Sequence, residues 1–125
     1  MLKDFDVIAT VAVKDLAVAK PFYRDTLGLQ LQPGDEKEAL SFKSGNSSLL
    51  VYRSQYAGTN QATAANWAVD DVKGTVAELK AKGVKFEHYD FPGGKREGDV
   101  HIMDGMHAAW FRDPDGNILS IVSRQ

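Results

Sequence analysis

The sequence predicts an α+β fold: tandem βαβββ modules forming a curved mixed sheet around a central cavity. Three observations predict it. Each half of the 125 residues runs strand, aspartate, helical stretch, glycine and then several strands. The landmarks recur at nearly constant spacing, with Asp15 and Asp71 56 positions apart and Gly28 and Gly83 55 apart. A late Gly-Asn pair, Gly45-Asn46 and then Gly116-Asn117, precedes a hydrophobic strand in each half. The expected organisation is a single domain over 1–125, with module one at about 4–54, a linker at about 55–63 and module two at about 64–124. The linker, SQYAGTNQAT around it, is polar and small with no period.

The elements follow in order. Asp4 to Val13 alternates as a strand, with Val7, Ala9, Val11 and Val13 on one side and Ile8, Thr10 and Ala12 on the other. Asp15 is a helix N-cap, because its carboxylate can accept from the free N–H groups of the first turn. Leu16, Ala19, Phe22, Tyr23 and Leu27 give the apolar stripe of a helix over Leu16 to Leu27. Pro21 has no N–H to return to Ala17, at ~3 kcal/mol in a regular helix interior, so a kink or an irregular first turn is expected there. Gly28 is its C-cap. Leu29 to Gln32, Glu38 to Lys43 and Ser48 to Arg53 are strands, and Glu36, Lys37 and Glu38 form a solvated turn.

In the second half, Ala65, Trp67 and Val69 alternate with Ala64, Asn66 and Ala68. Asp70-Asp71 cap a helix over about Val72 to Lys82, and Gly83 ends it. Val84 to Tyr89 is a strand. Phe91 to Gly98 (FPGGKREG) is a turn-rich loop, lacking the pattern and the following helix of a phosphate-binding loop. Val100 to Met103 and Met106 to Arg112 are short strands. Asp113-Pro114-Asp115-Gly116 is a turn, and Asn117 to Ser123 the last strand.

Composition sets limits. The 15 Lys+Arg balance 17 Asp+Glu to a net charge of −2, which gives no gross electrostatic reason to bind nucleic acid or an anionic membrane. No apolar run approaches a membrane span, and no signal-peptide pattern opens the chain. A cytoplasmic location is expected. With no cysteine there is no disulfide, thiolate nucleophile or cysteine-ligated metal.

A helix covers one face of each short sheet, so the other faces and the strand edges seek burial against each other. The expected cavity wall is the opposite-parity set: Ile8, Thr10, Ala12, Ser48, Leu50 and Tyr52 in the first half, and Ala64, Asn66, Ala68, Ile118, Ser120 and Val122 in the second. Tyr52, Tyr56, Phe91 and Trp110 are the aromatics available for stacking on a flat ligand.

VAVKDLAVAKPFYRDTLGLQL (Val11 to Leu31), NWAVDDVKGTVAELKAKGVKF (Asn66 to Phe86) and AWFRDPDGNILSIV (Ala109 to Val122) resemble the glyoxalase / bleomycin resistance / extradiol dioxygenase group, the vicinal oxygen chelate superfamily. The resemblance covers nearly the whole chain. It implies paired βαβββ modules, a homodimer, and in many members a cavity completed by modules exchanged between subunits. It implies activities from isomerase, epimerase, dioxygenase and thiol transferase to drug sequestration, and in the enzymes a divalent metal held by His, Gln or Glu.

Carried over residue by residue, the metal positions fall on Ile8, on or near Leu50, on Ala64 and on Ser120. Three are aliphatic, and a neutral hydroxyl is a poor ligand alone. The reading is therefore no metal and no cofactor. His101, Asp104 and His107 flank one turn and are the unconventional alternative; His101 and His107 are also the weak candidates for a general base. The expected ligand-binding residues are Thr10, Ser48, Leu50, Tyr52, Asn66, Trp110 and Ser120. The leading functional expectation is metal-independent binding or sequestration of a small aromatic or amphipathic molecule. The alternatives are a glyoxalase-like lyase, isomerase or dioxygenase, metal-free or with unconventional ligands, and a non-catalytic dimeric interaction module.

Overall fold

The computed structural model describes residues 1–124. The first strand, β1 (Ala9–Val13), buries Val11 and Val13 as the alternation requires, but Ala9, expected on the same side, is exposed at the strand's start. It begins later than expected, because pairing starts only at Ala9 opposite Leu49. Ile8 lies outside the strand and is 55% exposed.

Asp15 caps α1 (Leu16–Pro21), its Oδ1 accepting from Ala17 N at 2.9 Å. The expected helix to Leu27 is corrected here. The α-helical ladder stops at Pro21, and Phe22–Thr26 forms a π turn in which Leu27 N donates to Phe22 O at 2.9 Å. The missing N–H of Pro21 breaks the regular register, and the next turn widens by one residue. The widened turn buries Tyr23 completely, with Phe22 edge-on to it at 5.2 Å.

The first sheet is completed by β2 (Gln30–Leu31), β3 (Ala39–Ser44) and β4 (Ser47–Arg53), in the order β1-β4-β3-β2 with β1 parallel to β4. The second module repeats this with β5 (Thr63–Val69), α2 (Val72–Ala81), β6 (Phe86–Glu87), β9 (Met106–Arg112) and β10 (Ile118–Ser123), β5 running parallel to β10. Between β6 and β9 stands a hairpin of β7 (Lys95–Glu97) and β8 (Val100–Met103). The second sheet runs β5-β10-β9-β8-β7, and β6 also pairs with β9. The chain thus has two pseudo-symmetric modules and two open mixed sheets, neither curled nor closed into a barrel among the described residues.

Two further expectations change. The strand placed over Val84 to Tyr89 pairs only at Phe86 and Glu87, because β9 has partners there for two residues alone. The loop placed over Phe91 to Gly98 contains β7, folded back on β8 through the left-handed Gly98, whose carbonyl accepts from Arg96 Nη1 at 2.7 Å.

Register measures the asymmetry. Leu31 pairs with Phe42 as Phe86 pairs with Phe111. Leu31 and Phe86 are 55 positions apart and Phe42 and Phe111 are 69 apart, so 69 minus 55 gives 14 extra residues in module two, the β7–β8 hairpin and its approach.

One core serves both modules. Val13, Tyr23, Phe42 and Val51 join Phe111, Leu119 and Ile121 in a single buried cluster. The Asp113–Asn117 turn clasps the modules together. Tyr23 donates its hydroxyl to Asp113 Oδ2 at 2.7 Å, Asn117 Nδ2 donates to Ala12 O at 2.7 Å, and Lys14 N to Asp115 Oδ1 at 3.3 Å. Gly58 of the linker presses on the same turn with φ +73; a Cβ there would lie 2.0 Å from Asp115 O, so only glycine fits. The late Asp113–Asn117 turn, one of the segments that carry the family resemblance, is therefore a structural joint.

Candidate functional site

The face of the second sheet turned away from α2 can be read row by row from its register. One row is Asn66, Ser120, Trp110 and Glu87. The next is Ala68, Val122, Ala108, His101 and Arg96, and on the other side lie Thr63, Ile118 and Arg112. Parity places these residues here because Trp67, Leu119, Ile121 and Phe111 face the core.

This face is not bare. The segment Tyr89–Gly94 crosses it as a strap. Phe91 lies against Trp110 at 5.4 Å and a tilt of 36°, and Tyr89 meets Trp110 edge-on at 5.5 Å. His101 stands edge-on to Trp110 at 5.0 Å, and its Nε2 accepts from Tyr89 N at 2.9 Å. On the face the strap crosses, Ser120, Ala108 and His101 are each 2% exposed, whereas Phe91 itself is 38% exposed. Beside the strap opens a cleft of about 860 Å³, walled by Thr63, Tyr89, Phe91, Trp110, Arg112 and Ile118 and by linker residues 58–62. Trp110 Nε1 donates to Thr63 Oγ1 at 3.2 Å, which holds the indole across the cleft floor. Arg112 pairs with Glu87 and donates to Gly116 O at 3.0 Å; Glu87 beside it keeps the guanidinium firmly protonated.

The strap and hairpin are tied to α2 from outside. Lys73 pairs with Glu97 at 2.7 Å, and Asp99 accepts from Lys80 and His88, each at 2.7 Å. Lys80 first, then His88, hold the Asp99 carboxyl below its ordinary range.

The seven expected ligand-binding residues divide. Asn66, Ser120 and Trp110 come together in one row, with Ser120 Oγ donating to Asn66 Oδ1. Thr10 and Leu50 are neighbours on the first sheet, one register step from Tyr52, which is 38% exposed. Ser48 meets Asn66 only along a groove of about 390 Å³ between the two modules. Within one copy of the chain, then, the first-module set and the second-module set do not share a cavity. Tyr56, considered for stacking, is 69% exposed on the linker.

The metal implied by the family resemblance does not fit these residues. Ile8, Leu50 and Ala64 offer no lone pair, and the Ser120 hydroxyl is engaged with Asn66. Among the described residues no three His, Asp or Glu side chains gather as a metal-holding group. The alternative set of His101, Asp104 and His107 fails by parity. His101 is opposite Ala108 and His107 opposite Ile102, so the two imidazoles project from opposite faces of the hairpin. His101 lies within β8, is 2% exposed, and accepts from Tyr89 N of the strap.

Sequence reasoning missed Tyr89, Arg112, Thr63 and the burial of His101. A signal was present: Gly45 and Gly116 are 71 apart, against 55 for Gly28 and Gly83, which marks extra chain in the second half. Nothing in the local string said that this extra chain folds back over Trp110.

The family is shown directly. Residues 5–121 match the profile of the Glyoxalase/Bleomycin resistance protein/Dioxygenase superfamily, and the chain belongs to it. No curated protein sequence matches the chain. Solved structures share its fold. The bleomycin-binding protein from bleomycin-producing Streptomyces verticillus, complexed with copper(II)-bleomycin, is 21% identical, with 100% of each chain covered and a TM-score of 0.72. Lactoylglutathione lyase from Agrobacterium tumefaciens is 21% identical over 95% of this chain and 92% of that one, at a TM-score of 0.71. TnmS3, an antibiotic binding protein from Streptomyces sp. CB03234, is 23% identical over 97% and 98%, at a TM-score of 0.64. No helix among the described residues is long and apolar enough to cross a membrane.

Proposed function

We propose that the protein binds and sequesters a small aromatic or amphipathic molecule without a metal. The observation that carries this reading is the second-module face: Trp110, Phe91 and Tyr89 grouped beside a cleft of about 860 Å³, in a fold whose metal positions hold Ile8, Leu50, Ala64 and Ser120. A cleft of this size suits a drug-sized ligand, and aromatic walls give affinity without chemistry. The likeness to an antibiotic binding protein and a bleomycin-binding protein supports the same direction.

In this reading the modules, 4–54 and 64–124 joined by the linker 55–63, work as a homodimer in the cytoplasm. The first-module residues Thr10, Ser48, Leu50 and Tyr52 of one copy complete the cavity over Asn66, Trp110 and Ser120 of the other. The exposure of Tyr52 favours such a partner. Equilibrium titration with a panel of aromatic compounds, followed by tryptophan fluorescence, is the test. The expected result is micromolar binding that Trp110→Ala weakens at least tenfold. A panel that yields nothing tighter than millimolar overturns the reading.

A further inference from the structure

His101 carries a polar atom that the protein leaves alone. Tyr89 N donates to its Nε2 at 2.9 Å, and a backbone N–H can only donate. Nε2 therefore holds the lone pair, and the proton of the neutral ring sits on Nδ1. Nδ1 is buried with no hydrogen-bond partner among the described residues, in a side chain 2% exposed. Around the imidazole stand the rings of Trp110, Phe91, Tyr89 and His88, at 5.0, 5.8, 6.2 and 6.5 Å. His88 turns its Nε2 to Asp99, and none of the other three rings gives Nδ1 a hydrogen bond. Buried donors are nearly always paired, so an orphan within a binding face marks a partner to come.

The strap that encloses this donor also covers Trp110. Phe91 lies tilted on the indole, remains 38% exposed, and is followed by Gly93 with φ +76. An exposed ring tied only by such a segment is easier to displace than any core residue.

We propose that Phe91 occupies the ligand's seat, and that the ligand is a planar aromatic molecule with a hydrogen-bond acceptor on its edge. Its ring takes the place of Phe91 against Trp110, and its acceptor pairs with the Nδ1–H of His101. His101 is thereby the residue that selects acceptor-bearing aromatics. This inference rests on the reading of the second-module face as the binding face.

Quinoline and naphthalene test it, since they share an outline and differ by one ring acceptor. Binding of each to the full-length protein is followed by the Trp110 indole N–H resonance, with Trp67 as internal reference, and by the ¹⁵N resonances of the His101 ring. The expected result is quinoline bound about tenfold more tightly than naphthalene. Quinoline should shift the His101 Nδ1 signal, and His101→Phe should abolish the preference. Phe91→Ala, which leaves His101 in place, should tighten both probes several-fold and keep the preference. Equal affinity for the two probes at Trp110, or a preference that survives His101→Phe, overturns the inference while leaving the binding face intact. A Trp110 resonance that neither probe moves, in wild type or Phe91→Ala, overturns both.

Discussion

The two modules share one topology and differ at three places: the helix, which breaks into a π turn only in the first module, the hairpin end, and the stretch before it. At the hairpin end, Ser44 of β3 stands where Asp113 follows β9. Each reaches across to an aromatic side chain of the other module: Ser44 Oγ accepts from Trp67 Nε1 at 2.9 Å, and Asp113 Oδ2 accepts from Tyr23 at 2.7 Å. The bonds are reciprocal in place and unequal in strength. Ser44 is half-buried and neutral, whereas Asp113 is 5% exposed and charged. Asp113 also accepts from Asn117 Nδ2 and from the backbone N–H of Asp115 and Asn117. A duplicated fold can thus put most of its inter-module bonding into one copy of a repeated turn.

Removing Asp113 should unbalance the two modules more than any other single change. Asp113→Ala strips acceptors from Tyr23, Asn117 and two backbone N–H groups at once, and should cost at least about 3 kcal/mol. Ser44→Ala loses one bond at a half-buried site and should cost about 1 kcal/mol or less. Urea denaturation of both variants measures the ratio. Equal losses would mean that the two modules share the clasp evenly.

The same bond sets a pH limit. Burial first, then the charge of Asp113, push the Tyr23 hydroxyl well above its ordinary value of 10.0. The folded protein keeps this proton at pH values where the unfolded chain releases it. The contribution is complete below pH 10, and stability then falls as pH rises, by about 1.4 kcal/mol per unit. Tyr23→Phe lowers the starting stability but removes this part of the slope. Denaturation midpoints between pH 8.5 and 11 test the difference, and a slope unchanged in Tyr23→Phe would assign it to other groups.

What the sequence made legible follows from the same contrast. Strand parity was readable wherever one face is covered by a helix, which is why Val11, Val13, Leu49, Val51, Leu119 and Ile121 fall where alternation puts them. The caps at Asp15 and Asp71 were readable because a cap is a local bond. The aliphatic residues at the metal positions were readable because one side-chain identity decides each. The strap was not. Residues 88–94 have no period, and the bonds that place them run to His101 and Trp110, twelve and more positions away. Tyr23 with Asp113 was hidden for the same reason, at a separation of 90.

A smaller effect belongs to the inserted hairpin alone. Lys80 and then His88 hold the Asp99 carboxyl below its ordinary 3.8. This contribution is present above that value and is lost as pH falls through it toward the depressed folded value. The side chain is only 14% exposed, yet Lys80 is solvated, so Asp99→Asn should cost about 0.5–1 kcal/mol near neutrality. It should also flatten the acid limb between pH 5 and 3. Hydrogen exchange sharpens the point. Faster exchange should appear in 88–103 and nowhere in the first module, and a variant that loosens both modules alike would show that the hairpin is not an independent unit.

The smallest expected effect is none. An ion held with a Kd one hundredth of its concentration would add about 2.7 kcal/mol to stability. Nickel or zinc added to apo protein should leave the thermal midpoint unchanged, because Ile8, Leu50 and Ala64 have nothing to donate. Ile8→His, Ala64→His and Ser120→Glu together return the family's residue types, but the longer carboxylate enters at a position 2% exposed and bonded to Asn66. The triple variant should therefore gain a metal-dependent midpoint shift only when Phe91→Ala frees Trp110, the cross-strand neighbour of Ser120, to move aside. A full shift without Phe91→Ala would mean that Trp110 makes room for the carboxylate while Phe91 still rests on it. No shift with it would mean that no second copy brings position 8 to positions 64 and 120, since within one chain the two modules' site residues meet only at a groove of about 390 Å³.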